Sequence, residues 1–214
     1  TPASSVIFDS TEISIGESFW FLGSHEEKVH AWYYAPLNSH IMPPPLLVKS
    51  HSGPTGMAHS GLNLEVQFWT SRGWGVVDVN YGGSSGFGRE YRDRLKGNWG
   101  VIDVFDCSKA AQSLITSGKA NKDCIAIIGS SASGFTALGC LVSNDIFNIA
   151  ACKYAVTDLI SMANSTHRFE EFYLDYLIGN IASDYEKYIK RSPIENVNCI
   201  NVPLILFHGL KDKV

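Results

Sequence analysis

The stretch "IAIIGSSASGFTALGC", residues 125–140, crowds Ser130, Ser131 and Ser133 between an apolar run and an apolar-periodic one. A serine hydroxyl becomes a useful nucleophile when a base takes its proton and a third group orients the base. In the pattern G-x-S-x-G, Gly129 takes the first position and Ser131 the nucleophile's. The fifth position holds Ser133 instead of Gly, with Gly134 directly after it. Serine is small enough for such a turn to survive, and Ser130 and Ser133 read as structural. Taken alone, 129–134 is also consistent with a Ser-rich helix start, because Ser is a good N-cap.

Three other stretches bear on that choice. "KSHSGPTGMAHSG", residues 49–61, puts a Gly-containing turn after an apolar run, and such a turn can aim backbone N–H groups at an oxyanion. The N–H of Ala132, next to Ser131, is then the second donor; an ordinary strand-to-helix loop is the alternative. "NYGGSSGFGREYRDRLKGNWGVIDVFDC", residues 80–107, opens with four glycines in nine residues. It lacks the Lys-Ser/Thr ending of a phosphate-binding loop and reads as a structural loop beside the active site. "PLILFHGLKDKV", residues 203–214, places Asp212 four residues past His208, where an acid can orient a histidine. An exposed surface Asp is the alternative.

These residues need a scaffold. "LLVKSH" (46–51), "WGVVDVNY" (74–81), "CIAIIG" (124–129), "ACKYAV" (151–156) and "PLILFHG" (203–209) are short apolar runs that suit strands buried on both faces. Helical patterns lie between them at 62–72, 98–117 and 134–142, the second closed by Gly118. Strand alternating with helix predicts right-handed crossovers, an α/β class and a mostly parallel central sheet flanked by helices. Chemistry in such a sheet sits at the carboxyl ends of strands. At the start, "TEISI" and "KVHAWYYAP" read as two strands joined by a turn, an antiparallel edge.

The chain has 214 residues, which predicts one domain over 1–214. A net charge of −4 and a pI near 5.9 argue against nucleic acid or an anionic membrane surface as partner. No run reaches the ~18 apolar residues of a membrane span. "TPASSVIFDS" has no signal-peptide pattern. Cys107, Cys124, Cys140, Cys152 and Cys199 are scattered without metal-site spacing. They read as small buried hydrophobes in a reducing, cytoplasmic compartment.

In order and interval these stretches resemble the prolyl oligopeptidase family of serine peptidases, in its dipeptidyl-peptidase and acylaminoacyl-peptidase branch. "SHSGPTG" resembles the family's His-Gly-Gly-Pro turn, with Ser52 at the first Gly. The run 76–107 is the most specific match, with Gly82 where many relatives carry Arg. "IIGSSASGFTAL" resembles the nucleophile elbow and "PLILFHGLKDKV" the strand and loop of the acid. The resemblance implies an α/β-hydrolase fold, Ser131 and Asp212 as catalytic residues, and Gly53 and Ala132 as oxyanion donors. His51 flanks that turn as a substrate-binding candidate. The substrates implied are short peptides, and no metal or organic cofactor is needed. Homo-oligomerisation stays open.

In the family order Ser, Asp, His, the base follows the acid. His25, His30, His40, His51, His59, His167 and His208 all precede Asp212. His208 is expected in a buried strand end and His51 on the oxyanion turn, so the base is expected past residue 214. The catalytic domain is accordingly expected to be incomplete at its C-terminus, lacking the last strand and helix, and to be inactive as this piece. The β-propeller usual in the family is not in it. In "STHRFEEFYLDYLIG" (165–179), Glu170 and Glu171 are candidates for binding a peptide amino terminus, against a solvated helix face. An esterase on the same fold, or a non-catalytic binding domain, are the rival functions.

Overall fold

The computed structural model describes residues 9–143, 145–165 and 171–212. Seven strands form one sheet: β1 (Glu17–Leu22), β2 (Lys28–Tyr34), β3 (Leu46–Ser50), β4 (Gly75–Asn80), β5 (Ile125–Ser130), β6 (Ile149–Lys153) and β7 (Leu204–Phe207). Their order across the sheet is β1-β2-β4-β3-β5-β6-β7. β1 pairs antiparallel with β2, and β2 with β4. β3 runs parallel to both β4 and β5, and β5, β6 and β7 continue in parallel. The helices are α1 (Leu64–Thr70), α2 (Arg89–Asp93), α3 (Ile102–Thr116), α4 (Ala132–Ser143), α5 (Leu159–Ser165), α6 (Glu171–Leu177) and α7 (Ile181–Arg191).

Successive strand residues point to opposite faces, and the central strands are apolar on both. Leu46, Val48, Val77, Val79, Ile125 and Ile127 enter a large core with side chains of α3 to α7. Leu47, Val76 and Ala126 enter a smaller one, where Val66 of α1 packs with Trp69 and Trp74. Across the large core, Asp103 in the first turn of α3 accepts from Thr136 Oγ1 of α4 at 2.6 Å and from the Gly100 N–H at 2.6 Å. Burial raises the Asp103 carboxyl to about 6.

The chain leaves β3 toward β4 on one side and is continued by β5 on the other. The order therefore reverses at β3, and the crevice beyond the carboxyl ends of β3 and β5 is where an open α/β sheet binds ligands. His51 to Gly53 follow β3 there, and Ser131 follows β5.

Three expectations are corrected. "TEISI" is not a strand: Asp9 and Glu12 close a capping box on the 3-10 turn Ser10–Glu12, and Ser14 is held by the Gln67 side chain through bonds of 2.8 and 2.9 Å. The edge strand is instead "ESFWFL", paired from Glu17↔Tyr33 to Leu22↔Lys28. Cys107, Cys140 and Cys152 are buried, but Cys124 and Cys199 are exposed; all five are free thiols. The run at 203–209 is not buried on both faces. β7 pairs only with β6 among the described strands, and Ile205, Leu206 and Phe207 are each more than half exposed, at 51%, 58% and 56%.

Candidate active site

Ser131 lies between β5 and α4 with φ +52, a left-handed conformation that costs a non-glycine residue about 1–2 kcal/mol. Surrounding hydrogen bonds hold it there. Its N–H donates to the Lys153 carbonyl at 3.1 Å, and its carbonyl accepts from Phe135 N–H at 3.1 Å. The turn also needs small residues. A Cβ on Gly129 would overlap the Ser133 carbonyl, and one on Gly134 would come 2.6 Å from Ala155 Cβ. The buried Ser133 hydroxyl accepts from Ser130 N–H at 2.8 Å and donates to the Ser130 carbonyl at 2.9 Å. Serine in the elbow's last position thus bonds the turn to itself.

Across the crevice, Gly53 has φ +77 and open space where a Cβ would stand, so its glycine is required by backbone conformation and not by crowding. Its carbonyl accepts from Gly56 N–H at 2.9 Å and faces His51 Nδ1 at 3.0 Å. His51 Nε2 lies 2.7 Å from Ser84 Oγ, and its ring rests on Tyr81 with centroids 4.5 Å apart. Burial drives the imidazole down to about 4. A neutral ring that donates Nδ1–H to Gly53 then competes at Nε2 with the Tyr81 carbonyl, 2.9 Å from Ser84 Oγ, for the one Ser84 hydroxyl proton.

The Gly-rich loop after β4 supplies the remaining grip. Tyr81 OH donates to the Pro54 carbonyl at 2.8 Å, and Ser85 N–H to the Gly56 carbonyl at 2.8 Å. Asn80 Oδ1 accepts from Ala58 N–H at 2.7 Å.

Ser131, Ala132, Gly53 and Asp212 line one cavity of about 550 Å³, walled in part by Trp99, Val156, Met162, Tyr173 and Leu177. Neither Trp99 nor Tyr173 was singled out by sequence, since each looks like ordinary core or helix-face aromatic. Tyr173 is tied to the glycine turn after β3 through its OH, 2.9 Å from Thr55 Oγ1. His208 also lines the cavity, with Nε2 3.9 Å from Asp212 Oδ2. It is exposed, against the expected burial, because β7 carries no neighbour on its outer edge among the described residues. His51 does not line this cavity but a second one, of about 580 Å³. Glu170 lies outside the described residues, and Glu171 begins α6, whose Tyr173 and Leu177 reach the cavity. Among the described residues no group of three His, Cys, Asp or Glu is placed to hold a metal.

A serine in a left-handed turn between strand and helix, facing a glycine turn after the adjacent parallel strand, on a sheet of this order, defines an α/β-hydrolase-fold protein. The profile of the prolyl oligopeptidase family matches residues 60–214, and the chain belongs to that family. It is 29% identical over 176 residues to the acylamino-acid-releasing enzyme of Arabidopsis thaliana, covering 78% of this chain and 23% of that one. To dipeptidyl aminopeptidase BIII of Pseudoxanthomonas mexicana it is 27% identical, covering 79% and 26%. The solved structure of a puromycin hydrolase superposes with a TM-score of 0.92 at 39% identity, covering 98% of this chain and 33% of that one. The acylaminoacyl peptidase of Pyrococcus horikoshii, at 24% identity and TM-score 0.83, shares the fold. The chain spans about a quarter to a third of the length of these relatives.

Proposed function

We propose that this chain belongs to the catalytic unit of a serine peptidase that cleaves short peptides, with Ser131 as nucleophile. The observation that carries the reading is the convergence of Ser131 at φ +52, Gly53, Ala132 and Asp212 on one cavity. Ser131 Oγ attacks the scissile carbonyl carbon while a histidine takes its proton, and Asp212 orients that histidine. The N–H groups of Gly53 and Ala132 meet the oxyanion, each donor contributing about 3 kcal/mol to the transition state. Collapse expels the amine, which receives the proton from the histidine, and water then hydrolyses the acyl-enzyme by the same steps. The histidine in this proposal follows Asp212 in the longer protein.

Relatives named for releasing acylamino acids and dipeptides favour substrates presenting a short N-terminal segment. Glu170 and Glu171 are proposed to meet a free amino terminus. Five unpaired thiols favour a reducing, cytoplasmic setting. No helix among the described residues is long and apolar enough to cross a membrane.

A fluorophosphonate probe tests the reading on the intact protein. Labelling at Ser131, lost in Ser131→Ala, and turnover of an aminoacyl-nitroanilide are expected. Turnover of nitrophenyl esters without any peptide substrate would identify the esterase instead, and no labelling above background a binding domain.

A further inference from the structure

Two hydroxyls from opposite sides of the crevice meet on one backbone atom. The Ser130 carbonyl accepts from Ser133 Oγ at 2.9 Å and from Ser52 Oγ at 3.3 Å. A carbonyl oxygen has two lone pairs, and this one gives one to each side. Ser52 immediately precedes Gly53, and Ser130 immediately precedes Ser131. The shared bond therefore joins the residue before Gly53 to the residue before Ser131.

The strands do not fix that spacing unaided. The β3–β5 ladder runs from Leu46↔Ile125 to Lys49↔Ile128 and ends there. The oxyanion turn and the elbow lie beyond its end, and Ser52 supplies a cross-link past the last ladder pair. Ser133 anchors the other end of that link, because its hydroxyl bonds both the N–H of Ser130, at 2.8 Å, and its carbonyl, at 2.9 Å, and so fixes the residue that Ser52 reaches. Both serines occupy positions where the resembling motifs have glycine. Glycine has no hydroxyl to make either bond.

We infer that Ser52 and Ser133 are a coupled pair of positioning residues. Their joint hold on the Ser130 carbonyl sets the distance between the N–H groups of Gly53 and Ala132. The inference rests on the reading of those two groups as oxyanion donors. Ser133 fixes the elbow, and Ser52 ties the turn to it.

The test is a double-mutant cycle on the intact protein with Ser52→Ala, Ser133→Ala and the pair, followed by kcat and KM on an aminoacyl-nitroanilide. Selective nitrogen-15 labelling of alanine and glycine adds the amide resonances of Ala132 and Gly53. Each single change is expected to lower kcat about fivefold with KM unchanged, and the pair by less than the product of the singles, since loss of either end releases the same link. Ser52→Thr keeps the hydroxyl and is expected to retain wild-type kcat. Ser52→Ala is expected to move the Ala132 resonance across the crevice, and this readout does not depend on turnover. If the resonance moves while even the wild type cleaves no peptide, the bridge stands and the peptidase reading falls. If Ser133→Ala does not fold, the Ser52→Ala and Ser52→Thr pair still decides the outcome. An unmoved Ala132 resonance with strictly multiplicative rates overturns the inference, as does a loss confined to thermal stability.

Discussion

The two sides of the crevice are built on different principles. The elbow, 129–134, is held by hydrogen bonds within the turn and to the Lys153 carbonyl of β6, and by close packing that only glycine permits at 129 and 134. The glycine turn, 51–58, has open space around Gly53 and takes its shape from hydrogen bonds to Asn80 and the Gly-rich loop, 22 to 33 positions away. One side is set by close packing; the other is set by polar contacts in open space. Damage to the first should be abrupt, because a packed backbone has nowhere to move. Damage to the second should be graded, because each bond contributes a modest net amount.

The largest expected effect is at Gly129. The Ser133 carbonyl that an added methyl would meet belongs to the first turn of α4, which is pinned in turn by Phe135 and Thr136. Gly129→Ala is expected to cost about 3 kcal/mol of stability, the upper end of overpacking, and to abolish fluorophosphonate labelling. Urea unfolding and labelling check it. A variant with wild-type midpoint and labelling would show the elbow to be as forgiving as the turn.

The elbow was legible because its small residues, Gly129, Ser131, Ser133 and Gly134, lie within six positions of one another, and the alternation of apolar runs with helical patterns was enough to locate β3 to β7 along the chain. Where placement depends on distant partners, the reading failed. "TEISI" alternates like a strand, but its backbone partner is the side chain of Gln67, 53 residues on from Ser14. "PLILFHG" is as apolar as a central strand, yet an apolar run does not encode whether a neighbour pairs on its outer edge. The Ser52 bond to Ser130 spans 78 residues, and no local pattern announces it.

The second effect separates the turn's charge from its shape. His51 titrates near 4 in the folded protein because burial disfavours the imidazolium, against 6.5 in the unfolded chain. Its contribution to stability is therefore fully present above pH 6.5 and is lost as pH falls toward 4. At 1.36 kcal/mol per pKa unit the loss is about 3 kcal/mol. The buried carboxyls Asp78, Asp103 and Asp106, each raised to about 6, act in the opposite sense, gaining stability as pH falls through that value. The wild-type curve alone mixes the two. The difference between wild type and His51→Gln isolates the histidine, and it is expected to shrink by about 3 kcal/mol between pH 7 and pH 4. A difference independent of pH would mean that the ring is not buried neutral against Gly53.

A smaller effect tests the grading itself. Tyr81→Phe removes the donor to the Pro54 carbonyl and leaves the ring that supports His51. It is expected to cost about 1–2 kcal/mol, the range for a buried acceptor left without its partner. kcat should fall a few-fold with KM held, since Pro54 adjoins Gly53, the proposed oxyanion donor. Stopped turnover at unchanged stability would make the turn as brittle as the elbow.

The smallest effect is expected at His208, and it bears on where the base comes from. His208 and Asp212 share the turn after β7, and Nε2 stands 3.9 Å from Oδ2, beyond the reach of a good hydrogen bond. A base must be held in one orientation by its acid, with its other nitrogen free for the serine proton. An imidazole 56% exposed, on a strand end flanked by exposed Leu206 and Phe207, has little around it to fix that orientation. His208→Ala is therefore expected to lower kcat/KM of the intact protein less than about threefold, against a loss of several orders of magnitude for a true general base. Ser131→Ala in the same assay gives the floor. A His208→Ala variant at that floor would place the base inside residues 1–214. The cavity around Ser131 would then already hold all three members of a triad, and the chain alone should react with the fluorophosphonate probe.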